Sequence, residues 1–325
     1  MKIIITGATG SLGAHLVRHY AAAGHEILAV GRTANPPAAL LKLAKWQHAD
    51  ITKPLTFPEA EVIIHCAGLA DDRATRQDLF TANVRGTENV CLAAQHISLF
   101  IHISSSSVYS FNQDLISEDY ISYSSEKNLS PYGWSKLIAE KTILEKSDST
   151  KNVILRPRGI YGPGDKVLLP RLLRMVKNGK FISPGKMNVL LSMTHFENLA
   201  HAIDCVLRSA LHGNREYNIA DAQPYVLFDV LKQLLDAIHK NNLPVKHLPL
   251  WALRPLSLLR VGGLSPLFLN TITKNVTLDI SRARTEMNYQ PMREFHSSVS
   301  EIASWVEKMG GPEIVRSGNA ELAWK

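Results

Sequence analysis

A tyrosine and a lysine stand four residues apart in the stretch "PYGWSKLIAEK" at 131–141. An i, i+4 pair shares one face of a helix, so the Tyr132 phenol and the Lys136 ammonium are neighbours by construction. A free tyrosine ionises near pH ~10, too high for proton transfer at neutral pH. A cation within about 4–6 Å favours the phenolate and brings the group into the range of acid–base work. Tyr132 and Lys136 are therefore the candidate catalytic pair. The competing reading is an amphipathic helix with a solvated lysine, and the elements around the pair decide between them.

Residues 2–6, 26–30, 62–65, 100–104 and 153–156 are short, β-rich apolar runs. Continuous hydrophobicity without alternation is what parallel strands covered on both faces require. Between them, residues 12–23, 81–95 and 132–145 carry apolar side chains at helical spacing. This alternation predicts an α/β fold, a doubly wound parallel sheet.

Directly after the first run comes "TGATGSLGAHL", with Gly7, Gly10 and Gly13 at G-x-x-G-x-x-G spacing. Glycines there let the backbone turn tightly and approach a pyrophosphate. Thr9, Ser11 and Leu12 lead into a helix whose free N–H groups and positive dipole end suit an anion. A dinucleotide cofactor follows from this context. The second run ends in "AVGRT". A carboxylate at that place would hold the ribose hydroxyl of NAD. Gly31 instead leaves room and Arg32 offers a forked cation, which predicts NADP(H) in preference to NAD(H).

After the Gly-Pro-Gly at 162–164 the pattern changes to helical segments such as 227–239 and 299–308, with one further strand at 216–220. The expected division is a dinucleotide-binding domain over 1–165, rejoined by a strand and helix within about 189–222. Most of 166–325 then forms a smaller, mostly helical substrate domain at the carboxyl ends of the strands. From Gly310 a loose tail is expected.

The 325 residues are 45% apolar and 20% charged, with a net charge of +7. That mild excess suits an anionic cofactor or small-molecule substrate, and no basic run argues for nucleic acid. Three scattered cysteines point to buried thiols in a reducing compartment. His65 and Cys66, adjacent at a strand end, are a poor arrangement for shared metal ligation, so no metal is expected. An apolar run entered at Ile3 with no signal-like preamble points to the cytoplasm. The apolar stretch 248–269 is broken by Arg254, Arg260, several prolines and a Gly-Gly pair. It reads as core or as the wall of a lipophilic pocket, with docking on a membrane surface as the lesser alternative.

The glycine loop, "HADI" at 48–51, "HCAG" at 65–68, "NVRGT" at 83–87, "SSSSVY" at 104–109, "YGWSK" at 132–136 and "RPRGIYGPGD" at 156–165 occur in fixed order. Together they resemble the extended short-chain dehydrogenase/reductase superfamily, the NAD(P)-dependent epimerase/dehydratase group. The likeness covers most of the chain and is strongest up to Asp165. It implies that Tyr132 passes the proton, that Ser105 orients the substrate oxygen, and that Lys136 also holds the nicotinamide ribose. It further implies that Asp50 and the Ile51 amide hold the adenine, and that Ala67 and Gly68 line the diphosphate and ribose. Asn83 would open a helix beside the nicotinamide half, and Pro157 would shape the loop next to it.

Alternatives stand beside several of these. Asp50 and Asn83 also read as turn or cap residues, and a serine-rich strand end can serve only to satisfy backbone groups. Ser106 and Arg158 are substrate candidates, with Arg158 facing an anionic or carbonyl substrate or pairing on the surface. The resemblance leaves open a reductase, a nucleotide-sugar epimerase or dehydratase, and a non-catalytic regulator; relatives are often homodimers. Residues 190–203 lack the arginine and first aspartate of many sugar-nucleotide relatives and look more like the branch of 3β-hydroxysteroid dehydrogenases and ketoreductases. Arg171 and Arg174 keep a diphosphate clamp in view, against a solvated helix face. The expected activity is NADP(H)-dependent oxidoreduction of a ketone/secondary alcohol pair, on a fairly lipophilic substrate.

Overall fold

Ile3 and Ile5 bury their side chains on one face of a sheet and Ile4 on the other, so the first strand has no wet side. The computed structural model that contains it describes residues 1–71, 74–109, 114–120, 129–147, 151–258, 269, 272–317 and 323–324. The strands are β1 (Lys2–Thr6), β2 (Glu26–Gly31), β3 (Lys45–His48), β4 (Val62–His65), β5 (Leu99–Ile103), β6 (Lys151–Pro157) and β7 (Gly213–Ile219). They pair in the order β7-β6-β5-β4-β1-β2-β3, all parallel. The chain runs outward in opposite directions from β1 and β4. The crevice above their carboxyl ends is the position at which open α/β sheets receive ligands.

Each face is closed by helices. On one side α1 (Ser11–Ala22) and α5 (Phe196–Arg208) pack Leu16, Val17, Leu199 and Ile203 against Ile64, Ile101 and Leu155. On the other, Val90 and Cys91 of α2 (Gly86–Ala93) and Ile143 of α3 (Pro131–Lys146) meet Ile4, Ile63 and Phe100. A separate apolar cluster joins α4 (Leu168–Leu173), α6 (Leu227–His239) and α8 (Phe295–Lys308) through Leu169, Leu235, Phe295 and Ile302.

Three features differ from the sequence reading, and the apolar stretch 248–269 agrees with it where it is described, Leu253 and Leu269 lying in the second cluster. Strand β3 was not expected, because an edge strand with only Trp46 and Gln47 half-buried carries little apolar signal. The helix expected over 81–95 begins earlier, at Arg76, where Thr75 and Asp78 form a reciprocal capping box, and a π-helical segment, Phe80–Arg85, leads into α2. Of the stretch 248–269, helix α7 (Leu250–Leu258) buries Leu253 and exposes Trp251, while 259–268 lie outside the described residues. No helix among the described residues is long and apolar enough to cross a membrane. The tail is not loose where it is described: α9 (Pro312–Arg316) sinks Val315 into the second cluster, and Ala323 and Trp324 are buried. Arg18 holds this end down, donating to the Ala323 carbonyl at 2.9 Å with its guanidinium carbon 5.2 Å from the Trp324 ring centre.

Candidate active site

The glycine loop folds tightly for steric reasons that can be located. Gly7 has φ +70°, and a Cβ there would stand 2.8 Å from the Ala67 nitrogen. A Cβ on Gly13 would meet the Gly7 oxygen at 2.2 Å, so only glycine lets α1 start this close to β1. A Cβ on Gly10 meets that oxygen alone, at 3.1 Å, which leaves its outer side open. Gly10 caps α1 with no side-chain hydrogen bond, and the first turn holds no acidic residue. An uncapped N-terminus with an unopposed dipole, in an open glycine cradle at the switch point, fits a pyrophosphate. Ala67 and Gly68 border the same loop, the Ala67 amide donating to Thr6 Oγ1 at 3.2 Å. Lys166, which the sequence reading missed, closes on it from the far side. Its Nζ donates to the Thr9 carbonyl at 2.7 Å and its amide to Ser11 Oγ at 3.0 Å.

Tyr132 sits in the first turn of α3, which Ser130 caps by accepting from the Gly133 amide at 3.0 Å. A Cβ on Gly133 would lie 2.0 Å from the Ser107 carbonyl oxygen. That close approach presses the Tyr132 turn onto the short 3₁₀ turn Ser106–Val108, which Ser105 begins. Ser105 Oγ accepts from the Ser107 amide at 3.1 Å, so in this state the hydroxyl does satisfy a backbone group. Lys136 lies one helical turn further on and is buried. Its Nζ donates to the Ile103 carbonyl at 2.7 Å and reaches His102 Nε2 at 3.1 Å. Burial pushes its pKa down to about 8, against Glu140 and Cys66. The solvated-lysine reading is excluded.

Two buried networks hold these groups. Thr87 Oγ1 donates to the Asn83 carbonyl at 2.6 Å, so it accepts from His65 Nε2 at 3.0 Å. The other ring nitrogen then accepts from Thr6 Oγ1 at 2.7 Å. The His65 ring lies tilted beside that of His102, ring centres 5.1 Å apart and planes at 32°, and burial pushes its pKa down to about 3. On the opposite side Arg156 forks onto Glu140 at 2.7 and 3.1 Å, Glu140 accepts from Ser104, and Arg156 donates to the Tyr109 hydroxyl at 3.1 Å. Burial works against the Arg156 charge, yet Glu140 and Tyr109 leave its pKa above the usual arginine value. The end of β5 is thus fixed to α3 and β6.

The remaining candidates fall in varied places. Asn83 lies inside the π-helical segment rather than opening a helix. Its Nδ2 donates to Ser135 Oγ at 2.9 Å and to the Leu69 carbonyl at 3.0 Å, tying the loop after β4 to α3. Asp50 Oδ1 accepts from the Thr52 amide at 3.0 Å and forms a turn, which together with Thr52 Oγ1 and Arg32 holds its carboxyl below the usual range. Ile51 is buried against Gly86. Arg32 is exposed at the end of β2. Gly31 does not leave space for a ligand as expected: a Cβ there would strike the Trp46 ring at 2.7 Å, so indole packing already claims that space. Pro157 ends β6 and is buried. Arg158 is buried too and not a surface residue. Arg171 and Arg174 are exposed, as on a solvated face.

The sequence profile of the NAD dependent epimerase/dehydratase family matches residues 3–220. YbjS of Escherichia coli is 30% identical over 338 residues, covering 95% of this chain and 99% of its own. A 2-alkyl-3-oxoalkanoate reductase of Stenotrophomonas maltophilia is 30% identical over 252 residues, 73% of this chain and 76% of its own. A decarboxylating sterol-4-alpha-carboxylate 3-dehydrogenase of Schizosaccharomyces pombe is 27% identical over 286 residues, 80% and 82% of the two chains. In fold, the chain matches UDP-glucuronic acid 4-epimerase from Bacillus cereus, solved with NAD, at TM-score 0.75 and 20% identity over 95% of this chain and 99% of that one. The glycine cradle, the buried Lys136 behind the Tyr132 turn and these likenesses agree: this chain is a pyridine-nucleotide-dependent enzyme of the NAD dependent epimerase/dehydratase family, in the extended short-chain dehydrogenase branch.

Proposed function

We propose that the chain is an NADP(H)-dependent oxidoreductase that interconverts a ketone and a secondary alcohol. The observation that carries this reading is the contact of Gly133 with the Ser107 carbonyl, which draws the Tyr132 turn onto the turn begun by Ser105 while Lys136 is buried behind. Reduced nicotinamide, when bound, supplies the hydride. Ser105 hydrogen-bonds the carbonyl oxygen and orients it. Tyr132 donates its phenolic proton to that oxygen as the carbon gains hydride, so C=O becomes CH–OH; oxidation runs the same path backwards. Lys136 stabilises the phenolate left behind and binds the ribose hydroxyls. Asp50 and the Ile51 amide bind the adenine, and Arg32 pairs with the 2′-phosphate.

Residues 166–325 for the most part make the substrate side, through the second apolar cluster. The named relatives support a carbonyl/alcohol substrate, and two of their names place a carboxylate one carbon from the oxygenated carbon. The competing reading is a nucleotide-sugar epimerase that returns the hydride to its own substrate. Purified protein given stereospecifically deuterated NADPH, with ketones in one arm and UDP-sugars in the other, separates the two. Deuterium in a released alcohol is the expected result. An isomerised sugar with external NADPH unchanged would overturn the reductase reading.

A further inference from the structure

Strands β5 and β6 lie side by side, Ile103 beside Leu155, so the residues just past their ends share one rim of the site. Ser105 and Ser106 leave β5 there, and Arg158 follows the last residue of β6. The Arg158 guanidinium is buried, its Nη1 3.4 Å from the Ser106 hydroxyl. Its backbone is fixed by Thr194, whose Oγ1 accepts from the Arg158 amide at 3.2 Å and lies 3.0 Å from the Arg158 carbonyl. A forked cation on a rigid backbone in low dielectric surroundings is built to take a planar anion, and burial sharpens the pairing. Such burial already pushes the Arg158 guanidinium down to about 10, which a bound carboxylate would oppose.

Consecutive Cα atoms are about 3.8 Å apart. Ser105 and Ser106 are consecutive, so an anion taken by Ser106 and Arg158 sits beside the residue that orients the carbonyl oxygen. We propose that Ser106 and Arg158 form a carboxylate subsite, and that the substrate is a β-keto acid or the corresponding β-hydroxy acid. The carboxylate stays intact while the β carbon gains or loses hydride and its oxygen gains or loses a proton. This deepens the ketone reading above and rests on it. A diphosphate fits the subsite poorly, since it brings two charges to the one guanidinium of Arg158.

The test compares 3-oxooctanoate, its methyl ester and 2-heptanone as substrates with NADPH. The wild-type kcat/KM for the acid should exceed that for either neutral compound by at least about tenfold, the scale of a charge-assisted hydrogen bond. Arg158→Gln should erase that preference, bringing kcat/KM for the acid down to that of the two neutral compounds measured in the same variant. Arg158→Lys, which keeps the charge and loses the fork, should keep part of it. Bound NADPH fluorescence reports that each variant is folded. Equal kcat/KM for the three compounds in wild type overturns the subsite and leaves the reductase reading standing. A second arm needs no turnover: octanoate and octanol are titrated into the NADPH-loaded protein by calorimetry. Octanoate alone should bind, and Arg158→Gln should weaken it at least about tenfold. Octanoate binding that ignores Arg158 overturns the proposal, whereas Arg158-dependent binding without turnover of any carbonyl compound upholds the subsite and sinks the reductase.

Discussion

Lys136 lies one helical turn beyond Tyr132 as a buried ammonium, and a buried ammonium needs acceptors. It has the Ile103 carbonyl, which any residue there would supply, and His102 Nε2, which only this side chain supplies. His102 itself stays neutral, its pKa held well below the usual histidine value by burial and by Lys136. His102→Leu should therefore lower kcat about tenfold by removing one acceptor. Lys136 already loses its proton near pH 8, so activity that needs the cation declines above that pH. In the variant this alkaline limb should move to lower pH; a pH–rate profile that superimposes on wild type would show that His102 does not position Lys136. Tyr132→Phe should abolish turnover and leave NADPH affinity within a few-fold, measured by initial rates and fluorescence titration. Arg32→Asp should raise KM for NADPH at least about tenfold and that for NADH far less, and parallel changes would refute the phosphate assignment. Tyr132, Lys136 and the three loop glycines were legible because their spacing is a property of the chain. His102 and the burial of Arg158 were not, because each depends on which strand end a distant element is folded against.

Elements set the distances that these residues need, and Gly133 is where one does so most tightly. Its missing side chain lets the start of α3 touch the turn after β5. Gly133→Ala puts a methyl group 2.0 Å from the Ser107 oxygen, so the helix and the turn must separate. A shift of even about 1 Å at reacting groups costs roughly a hundredfold in rate. The same overpacking destabilises by about 1–3 kcal/mol. The variant should therefore lose about a hundredfold in kcat and several degrees in Tm, with nucleotide affinity little changed because the glycine loop is elsewhere. A kcat within threefold of wild type would show that the contact does not set the geometry. The strands β1, β2 and β4–β6 could be read from sequence because both of their faces are apolar. The helix start at Arg76 also had a signal, the Thr75–Asp78 box, which the apolar periodicity alone passed over. The glycine after Tyr132 had none, since nothing local says that a carbonyl from another element will press on it.

Across the whole molecule, folding buries titratable groups that the unfolded chain leaves in water. The tail illustrates how far apart the partners lie: Trp324 seats against Arg18 of the first helix, which no local pattern near Gly310 could announce. His65 is the clearest such group for stability. Burial pushes its pKa from 6.5 to about 3, so below pH 6.5 the unfolded chain takes up a proton that the fold refuses. Its contribution is therefore complete above the unfolded value and falls as the pH drops toward 3. At pH 5 the loss amounts to about 2 kcal/mol. His15 and His195, both pushed to about 4 chiefly by burial, act in the same direction. Burial raises Asp165, Asp221 and Glu118 and makes them act oppositely, so the wild-type curve alone is a sum of unlike parts. Replacing one group isolates it. His65→Gln cannot titrate, and its amide can still both accept and donate between Thr6 and Thr87. Urea unfolding of both proteins at pH 7.5 and pH 5 should show the variant losing about 2 kcal/mol less than wild type on acidification. Parallel losses would mean that His65 takes up its proton in the fold as readily as in water, and that the closed Thr6–His65–Thr87 chain beneath the glycine loop opens at acid pH.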